Sequence, residues 1–188
     1  MSLPEHEVQV LLTAQQIAVR MKELGDAISR DYPDPSEPLL LVGVLKGAAL
    51  LLADLVREIS RPVQYDFVAI SSYGLATRSS GEVRLIKDLD APIAEKHVII
   101  VEDILDSGLT LNNLIGRLST RNAKSLKVCV LLDKPARRQV EVPVAYRGFA
   151  IEDQFVVGYG LDYAEQYRNL PYVGVVLHTG LEDSDAAI

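Results

Sequence analysis

Three carboxylates, Glu102, Asp103 and Asp106, follow the apolar run Val98, Ile99, Ile100, Val101 and lead into Ser107, Gly108 and Thr110. These residue types do two kinds of chemistry. Hydroxyl and glycine residues at a strand-to-helix turn suit an anion: N–H groups at a helix start lack an intrahelical partner, the helix dipole favours negative charge, and glycine lets the backbone come close. The carboxylates of Glu102 and Asp103 would repel that anion, so they face either sugar hydroxyls or a divalent cation. A ligand with a phosphate at one end, a ribose diol in the middle and a metal-bound diphosphate meets all three demands. Taken singly, the acids read as strand-end residues and Ser107 as a helix cap. The nine residues 102–110 acting together imply more.

Such a turn needs a scaffold. Thr13 with Gln16 forms a capping box, and Ile17, Met21, Leu24 and Ile28 follow at helical spacing, so 13–30 is an amphipathic helix. The proline- and acid-rich stretch DYPDPSEP is a linker. Strands are expected at 39–45, 62–70, 83–87, 97–102, 125–133, 155–160 and 172–177, and helices at 48–59 and 109–119. The polar segment 71–82 is a long loop. Continuous apolar strands alternating with helices mean a mainly parallel sheet covered on both faces. Ligands of such sheets sit at the carboxyl ends of the strands. The polar residues following Leu45, Ile70, Val101 and Leu132 stand there.

The stretch VIIVEDILDSGLTL resembles the phosphoribosyl-pyrophosphate-binding signature of type I phosphoribosyltransferases. Other segments are similar to the hypoxanthine-guanine branch of that family, and the resemblance spans roughly residues 40–178. It implies a type I phosphoribosyltransferase α/β fold, a central mainly parallel sheet flanked by helices. It also implies one domain over 1–188, with a core at about 37–158 and a small hood from about 1–36 and 159–188.

The same resemblance assigns roles. Glu102, Asp103, Asp106, Ser107, Gly108, Leu109 and Thr110 would bind phosphoribosyl pyrophosphate, with Asp106 as general acid or base near purine N7. Some relatives have a polar or basic residue in place of Leu109. The LKGA segment is similar to the family's LKGG loop, with Ala48 for its second glycine, so Leu45, Lys46 and Gly47 would bind pyrophosphate across a cis Leu45–Lys46 peptide. Arg168 would reach the same group. Ser72 and Tyr73 match the start of the mobile loop that closes over the reacting centre. Lys134 would hold the purine 6-oxo group, Phe155 would stack on the ring, and the Val156 backbone would read the base edge. Asp162, beside the purine, would bind Mg²⁺ together with Glu102 and Asp103.

By residue type alone, Phe155 reads as core, and Tyr159, Tyr163 and Tyr167, recurring every fourth residue, read as packing. GYGLDY lacks the third glycine of a dinucleotide-binding turn and opens no helix. The activity implied is purine salvage: transfer of 5-phosphoribose to N9 of hypoxanthine or guanine, giving IMP or GMP and pyrophosphate. A nucleotide-sensing regulator built on the same fold, or an enzyme for adenine or a pyrimidine, is the alternative.

Composition supports the enzyme. A net charge of −7 and no added basic segment disfavour nucleic-acid binding, while a small phosphate site is compatible with it. With 48% hydrophobic and 24% charged residues over 188 positions, one soluble domain is expected. No apolar run reaches membrane-spanning length, and MSLPEHEVQV lacks a signal-peptide layout. Cys129 is the only cysteine and lies in the strand-like run KVCVLL, so it reads as a buried hydrophobe in a cytoplasmic protein. His6, His97 and His178 fall outside the motifs and read as structural or solvated. The partners expected are the two small-molecule substrates and further copies of the chain, as a homodimer or homotetramer.

Overall fold

The computed structural model describes residues 7–72 and 83–177. Within them a six-stranded sheet has the order β4-β3-β2-β5-β6-β7. The strands β2 (Leu39–Leu45), β3 (Gln64–Ser72), β5 (His97–Leu105), β6 (Ser125–Asp133) and β7 (Tyr146–Ala150) run parallel. The edge strand β4 (Val83–Lys87) is antiparallel to β3. A second, antiparallel sheet joins β1 (Glu7–Leu12), β9 (Val173–Leu177) and β8 (Val156–Val157) in the order β1-β9-β8.

The continuous apolar strands are buried on both faces because each face has its own helical cover. Alternate residues of a strand point to opposite sides. Leu39, Leu41, Ile99 and Val101 pack with Ile17, Met21, Leu24 and Ile28 of α1 (Ala14–Asp31) and Leu51 and Leu55 of α2 (Ala48–Glu58). Leu40, Val42, Val98 and Ile100 pack with Leu111, Leu114 and Leu118 of α3 (Leu109–Ser119). Cys129 is fully buried in the first of these clusters.

The capping box at Thr13 is formed: Gln16 N donates to Thr13 Oγ1 at 3.2 Å, and Thr13 N donates to Gln16 Oε1 at 2.8 Å. Two strands, β1 and β7, were not expected from the sequence. Both owe their existence to distant partners: β1 pairs with β9, and β7 pairs with β6. The strand expected at 155–160 shrinks to Val156–Val157, because Gly158, Tyr159 and Gly160 all take positive φ, 94°, 50° and 99°. Strand β5 runs past 102 to Leu105, which places Glu102 and Asp103 within the strand rather than beyond its end. Tyr73, most of the expected loop, His6 and His178 lie outside the described residues.

Candidate active site

The carboxyl ends of β2, β5 and β6 meet at one rim, and the segment 158–168 folds onto it. The peptide Leu45–Lys46 is cis, as the family resemblance implies. Gly47 follows at the start of α2, and its lack of a side chain is what allows the site to close. A Cβ there would lie 1.6 Å from Asp103 Oδ2, and a Cβ on Gly160 would lie 2.1 Å from Gly47 O. Three segments far apart in sequence therefore touch at backbone distance, and any side chain at Gly47 would force them apart.

The β5–α3 turn is built to leave its helix start open. Gly108 is the N-cap with φ 85°, and no side chain caps α3. Ser107 is thus not the N-cap residue itself, although its Oγ accepts a long hydrogen bond from Leu109 N at 3.4 Å. The turn is braced from the other side. Gln139 N and Val140 N donate to Ser107 O at 2.9 and 3.1 Å, and a Cβ on Gly108 would meet Val140 O at 2.4 Å. The first-turn N–H groups of α3 then point outward with the dipole behind them. Leu109 is exposed and Thr110 half-buried.

Burial raises the Glu102 carboxyl well above the usual carboxylate range, with the neighbouring Asp103 charge adding to it. Burial also pushes Asp103 up to about 6, opposed by the N–H donated to its Oδ1 by Ile104 at 2.9 Å and by the Arg168 charge, and helped by Asp162. Both side chains retain some solvent contact along the cleft wall. Asp106 lies further out. Arg137 Nε stands 3.1 Å from its Oδ1 but off the hydrogen-bonding direction, so that buried oxygen has no hydrogen-bond partner. Arg138 Nε donates to the Asp106 carbonyl at 3.2 Å.

Lys134 follows β6, and its N–H donates to Leu105 O at 2.9 Å, which ties the ends of β5 and β6 together. Its side chain is only 7% exposed, yet its ion-pair partner among the described residues, Asp153 Oδ1, is 3.9 Å away. Buried lysines are normally closely paired, so this ammonium has donors to offer a ligand. Phe155 is 49% exposed, against the core position its residue type suggests. Its ring meets Tyr163 edge-on at 5.6 Å. Val156 is buried in β8. The tyrosine periodicity is not helical: Tyr159 and Tyr167 have positive φ, and only Tyr159 is buried, its hydroxyl donating to Asp54 Oδ2 at 2.6 Å.

Arg168 Nη1 donates to Gly160 O at 2.7 Å, and Nη2 lies 2.7 Å from Asp162 Oδ1. Sequence reasoning missed three charged residues here: Arg137, Asp153 and Glu165. Arg137 had a signal, an arginine pair after the proline that ends a strand at the ligand rim. Asp153 and Glu165 had none, because their partners are brought in by the fold. The side chain of Ser72 and all of Tyr73 lie outside the described part of the structure.

Residues 8–164 match the phosphoribosyl transferase domain family. The chain belongs to this family. This phosphoribosyltransferase is 49% identical to the hypoxanthine phosphoribosyltransferase of Salmonella typhimurium over 173 residues, covering 92% of this chain and 97% of the relative. A hypoxanthine-guanine phosphoribosyltransferase crystal structure from Bacillus anthracis superposes with a TM-score of 0.86 at 46% identity, covering 91% of this chain and all of the other. The hypoxanthine phosphoribosyltransferase of Trypanosoma cruzi, in complex with the product IMP, gives a TM-score of 0.85 at 40% identity, covering 95% and 98%. The central, mostly parallel sheet with its flanking helices is the type I phosphoribosyltransferase fold, as expected.

Proposed function

We propose that this phosphoribosyltransferase serves purine salvage, transferring 5-phosphoribose from phosphoribosyl pyrophosphate to N9 of hypoxanthine or guanine. The observation that carries the reading is the contact of Gly47, Asp103 and Gly160 beside an uncapped α3 start. It sets anion donors, carboxylates and cations around one cleft. The α3 N-terminus with Ser107, Gly108 and Thr110 receives the 5′-phosphate. Glu102 and Asp103 face the ribose hydroxyls, and Lys46 and Arg168 flank the diphosphate. Phe155 offers its exposed face to the purine, the Val156 backbone reads the base edge, and Lys134 donates to the 6-oxo group. We read the small β1-β9-β8 sheet as the hood over the base, with bounds that differ from those expected: α1, counted with the hood, packs on the central sheet, and β8 lies in the stretch counted as core.

In the reaction the bond from C1′ to pyrophosphate breaks and the bond from N9 to C1′ forms. Positive charge develops on the ribose and negative charge on the leaving group. Lys46 and Arg168 stabilise the latter where it appears. Asp106, on the open side of the turn, exchanges the proton that the purine ring loses.

Among the described residues, no group of three or more His, Cys, Asp or Glu side chains converges on a metal position. The all-oxygen donors Glu102, Asp103 and Asp162 suit Mg²⁺, which commonly takes only one or two carboxylates and completes its shell with phosphate oxygens and water. When bound, it would neutralise the diphosphate. No helix among the described residues is long and apolar enough to cross a membrane. We place the enzyme in the cytoplasm as a homodimer or homotetramer.

A steady-state panel of free bases with phosphoribosyl pyrophosphate tests the reading. Adenine offers Lys134 a 6-amino donor where an acceptor is needed, and sites built around one polar contact reject such analogues by roughly 10⁴-fold. Hypoxanthine or guanine should exceed adenine by at least about 10³ in kcat/KM, and chelator should abolish turnover until Mg²⁺ is restored. Equal use of adenine would overturn the assignment.

A further inference from the structure

The two cations that flank the diphosphate already hold an anion. Lys46 Nζ lies 2.7 Å from Glu165 Oε2, and Arg168 Nη2 lies 3.4 Å from Glu165 Oε1. One carboxylate thus spans from the β2–α2 loop to the 158–168 segment.

Glu165 reaches this position through a disfavoured backbone. Tyr163 and Gln166 exchange both backbone hydrogen bonds, at 3.2 and 3.0 Å, and the two residues between them, Ala164 and Glu165, have φ of 51° and 64°. A two-residue turn with both φ values positive ordinarily takes glycine or asparagine, because a Cβ crowds the backbone in the left-handed region. Neither residue here is of that kind. Such backbone persists where its surroundings over-determine it, and it concentrates at functional positions. The surroundings that fix it are Lys46, Arg168 and the Asp162 carboxylate, which accepts from Glu165 N at 2.9 Å.

We propose that Glu165 is a resident anion of the diphosphate site, holding Lys46 and Arg168 in place while the site is free and giving way to diphosphate when it binds. The inference rests on the reading that Lys46 and Arg168 take the diphosphate. Glu165 is a positioning residue and touches no reacting atom. Arg168 keeps Asp162 as a closer partner at 2.7 Å, whereas Lys46 has no other ion-pair partner among the described residues, so without Glu165 its long side chain samples many rotamers. The lysine pair is readily exchanged, since Lys46 and Glu165 are each 66% exposed, and exposed pairs are weak. A diphosphate carries more charge than one carboxylate and displaces it. Arg168 Nε is buried without a hydrogen-bond partner and has a donor left for the incoming group. The competition acts in both directions, because returning Glu165 helps expel the product pyrophosphate.

The test compares the unmodified enzyme with Glu165→Gln, which keeps the shape and removes the charge. Calorimetric titration with magnesium pyrophosphate is paired with KM and kcat for phosphoribosyl pyrophosphate at saturating hypoxanthine. Glu165→Gln should bind pyrophosphate roughly threefold to tenfold more tightly, the scale of one or two exposed ion pairs. KM for phosphoribosyl pyrophosphate should fall with it, kcat should not rise, and added salt should shrink the difference. Glu165→Asp, with its charge retained, should lie nearer the unmodified enzyme. A purely structural glutamate would lower thermal stability and weaken pyrophosphate binding, and equal or weaker binding by a folded Glu165→Gln overturns the proposal. If the unmodified enzyme binds no pyrophosphate, the diphosphate site itself is misassigned and the two readings fall together.

Discussion

Around the amino ends of the parallel strands, Asp31, Glu37, Asp66 and Asp88 each have a base or hydroxyl against them. Tyr146 Oη and Lys127 Nζ donate to Asp31 Oδ2 at 2.6 and 3.0 Å. Lys124 and His97 hold Glu37, Lys87 and the Asp90 N–H hold Asp66, and Arg121 grips Asp88 with two nitrogens at 2.7 and 2.8 Å. The carboxyls of Asp31, Glu37 and Asp88 are lowered chiefly by these donors. Burial works against Asp66, but its hydrogen bonds still bring it below the usual range.

At the carboxyl ends, Glu102 and Asp103 have no ion-pair partner among the described residues, and burial raises both. Other acids of that rim are matched, Asp133 by Arg138 and Arg147 and Asp162 by Arg168, so it is Glu102 and Asp103 that stand apart, pushed toward the neutral form while the acids of the amino ends are held ionised. A fold gains stability by matching its charges, so carboxylates buried unmatched at a ligand rim mark where stability has been yielded to function.

The sharpest way to break this comparison is Asp106→Asn. Asp106 stands on the functional rim, beside Arg137 but with an oxygen that has no hydrogen-bond partner. Losing its proton exchange should cut kcat by roughly 10²-fold or more, while the turn, held by backbone bonds to Ser107 O, stays folded. Unchanged kcat in a folded variant would remove Asp106 from the chemistry and leave the rim without a proton carrier.

The difference between the two ends was partly legible in the sequence. The acids after Val101 and the glycine at 108 announced themselves, because a polar cluster interrupting an apolar run is a local signal. The parallel core was legible for the same reason. Strands β1 and β7 were not, since EVQVLL and YRGFA become strands only beside β9 and β6. Nor was the part played by Glu165, whose partner Lys46 lies 119 residues away. The fate of 158–168 was hidden as well. Its left-handed residues include tyrosines, an alanine and a glutamate, none of which advertises positive φ. What the fold brings together from afar leaves little trace in local spacing.

Asp103→Asn should sharpen the comparison through stability. Asp103 rises from an ordinary 3.8 to about 6, so the folded, ligand-free chain binds its proton more tightly than the unfolded one does. Its contribution is fully present below about pH 4 and is lost as pH rises through about 6. Asparagine carries no charge to bury and keeps an oxygen for the Ile104 N–H. The variant should therefore be more stable than the parent at pH 7 by on the order of 2 kcal/mol, nearly equal to it at pH 4, and much less active. Denaturant unfolding at the two pH values measures this. A variant equally destabilised at both would mean that Asp103 is a structural residue like those of the opposite rim.

The smallest effect belongs to the matched end. Arg121→Ala removes the two-nitrogen grip on Asp88, whose side chain is 48% exposed and that of Arg121 34%. Solvent screens so open a pair, and even good two-point geometry leaves about 0.5–1 kcal/mol. Asp88 is held low, so this increment is present at neutral pH and disappears as pH falls below about 4, the opposite direction to Asp103. Salt should reduce it further. Neither residue lies near the ligand rim, so kcat and KM should stay within experimental error of the parent. Thermal unfolding at neutral and acid pH, beside a steady-state assay, tests all three statements at once. A large loss of kcat in a folded Arg121→Ala would show that the amino ends of the strands are coupled to the chemistry and would dissolve the division between the two rims.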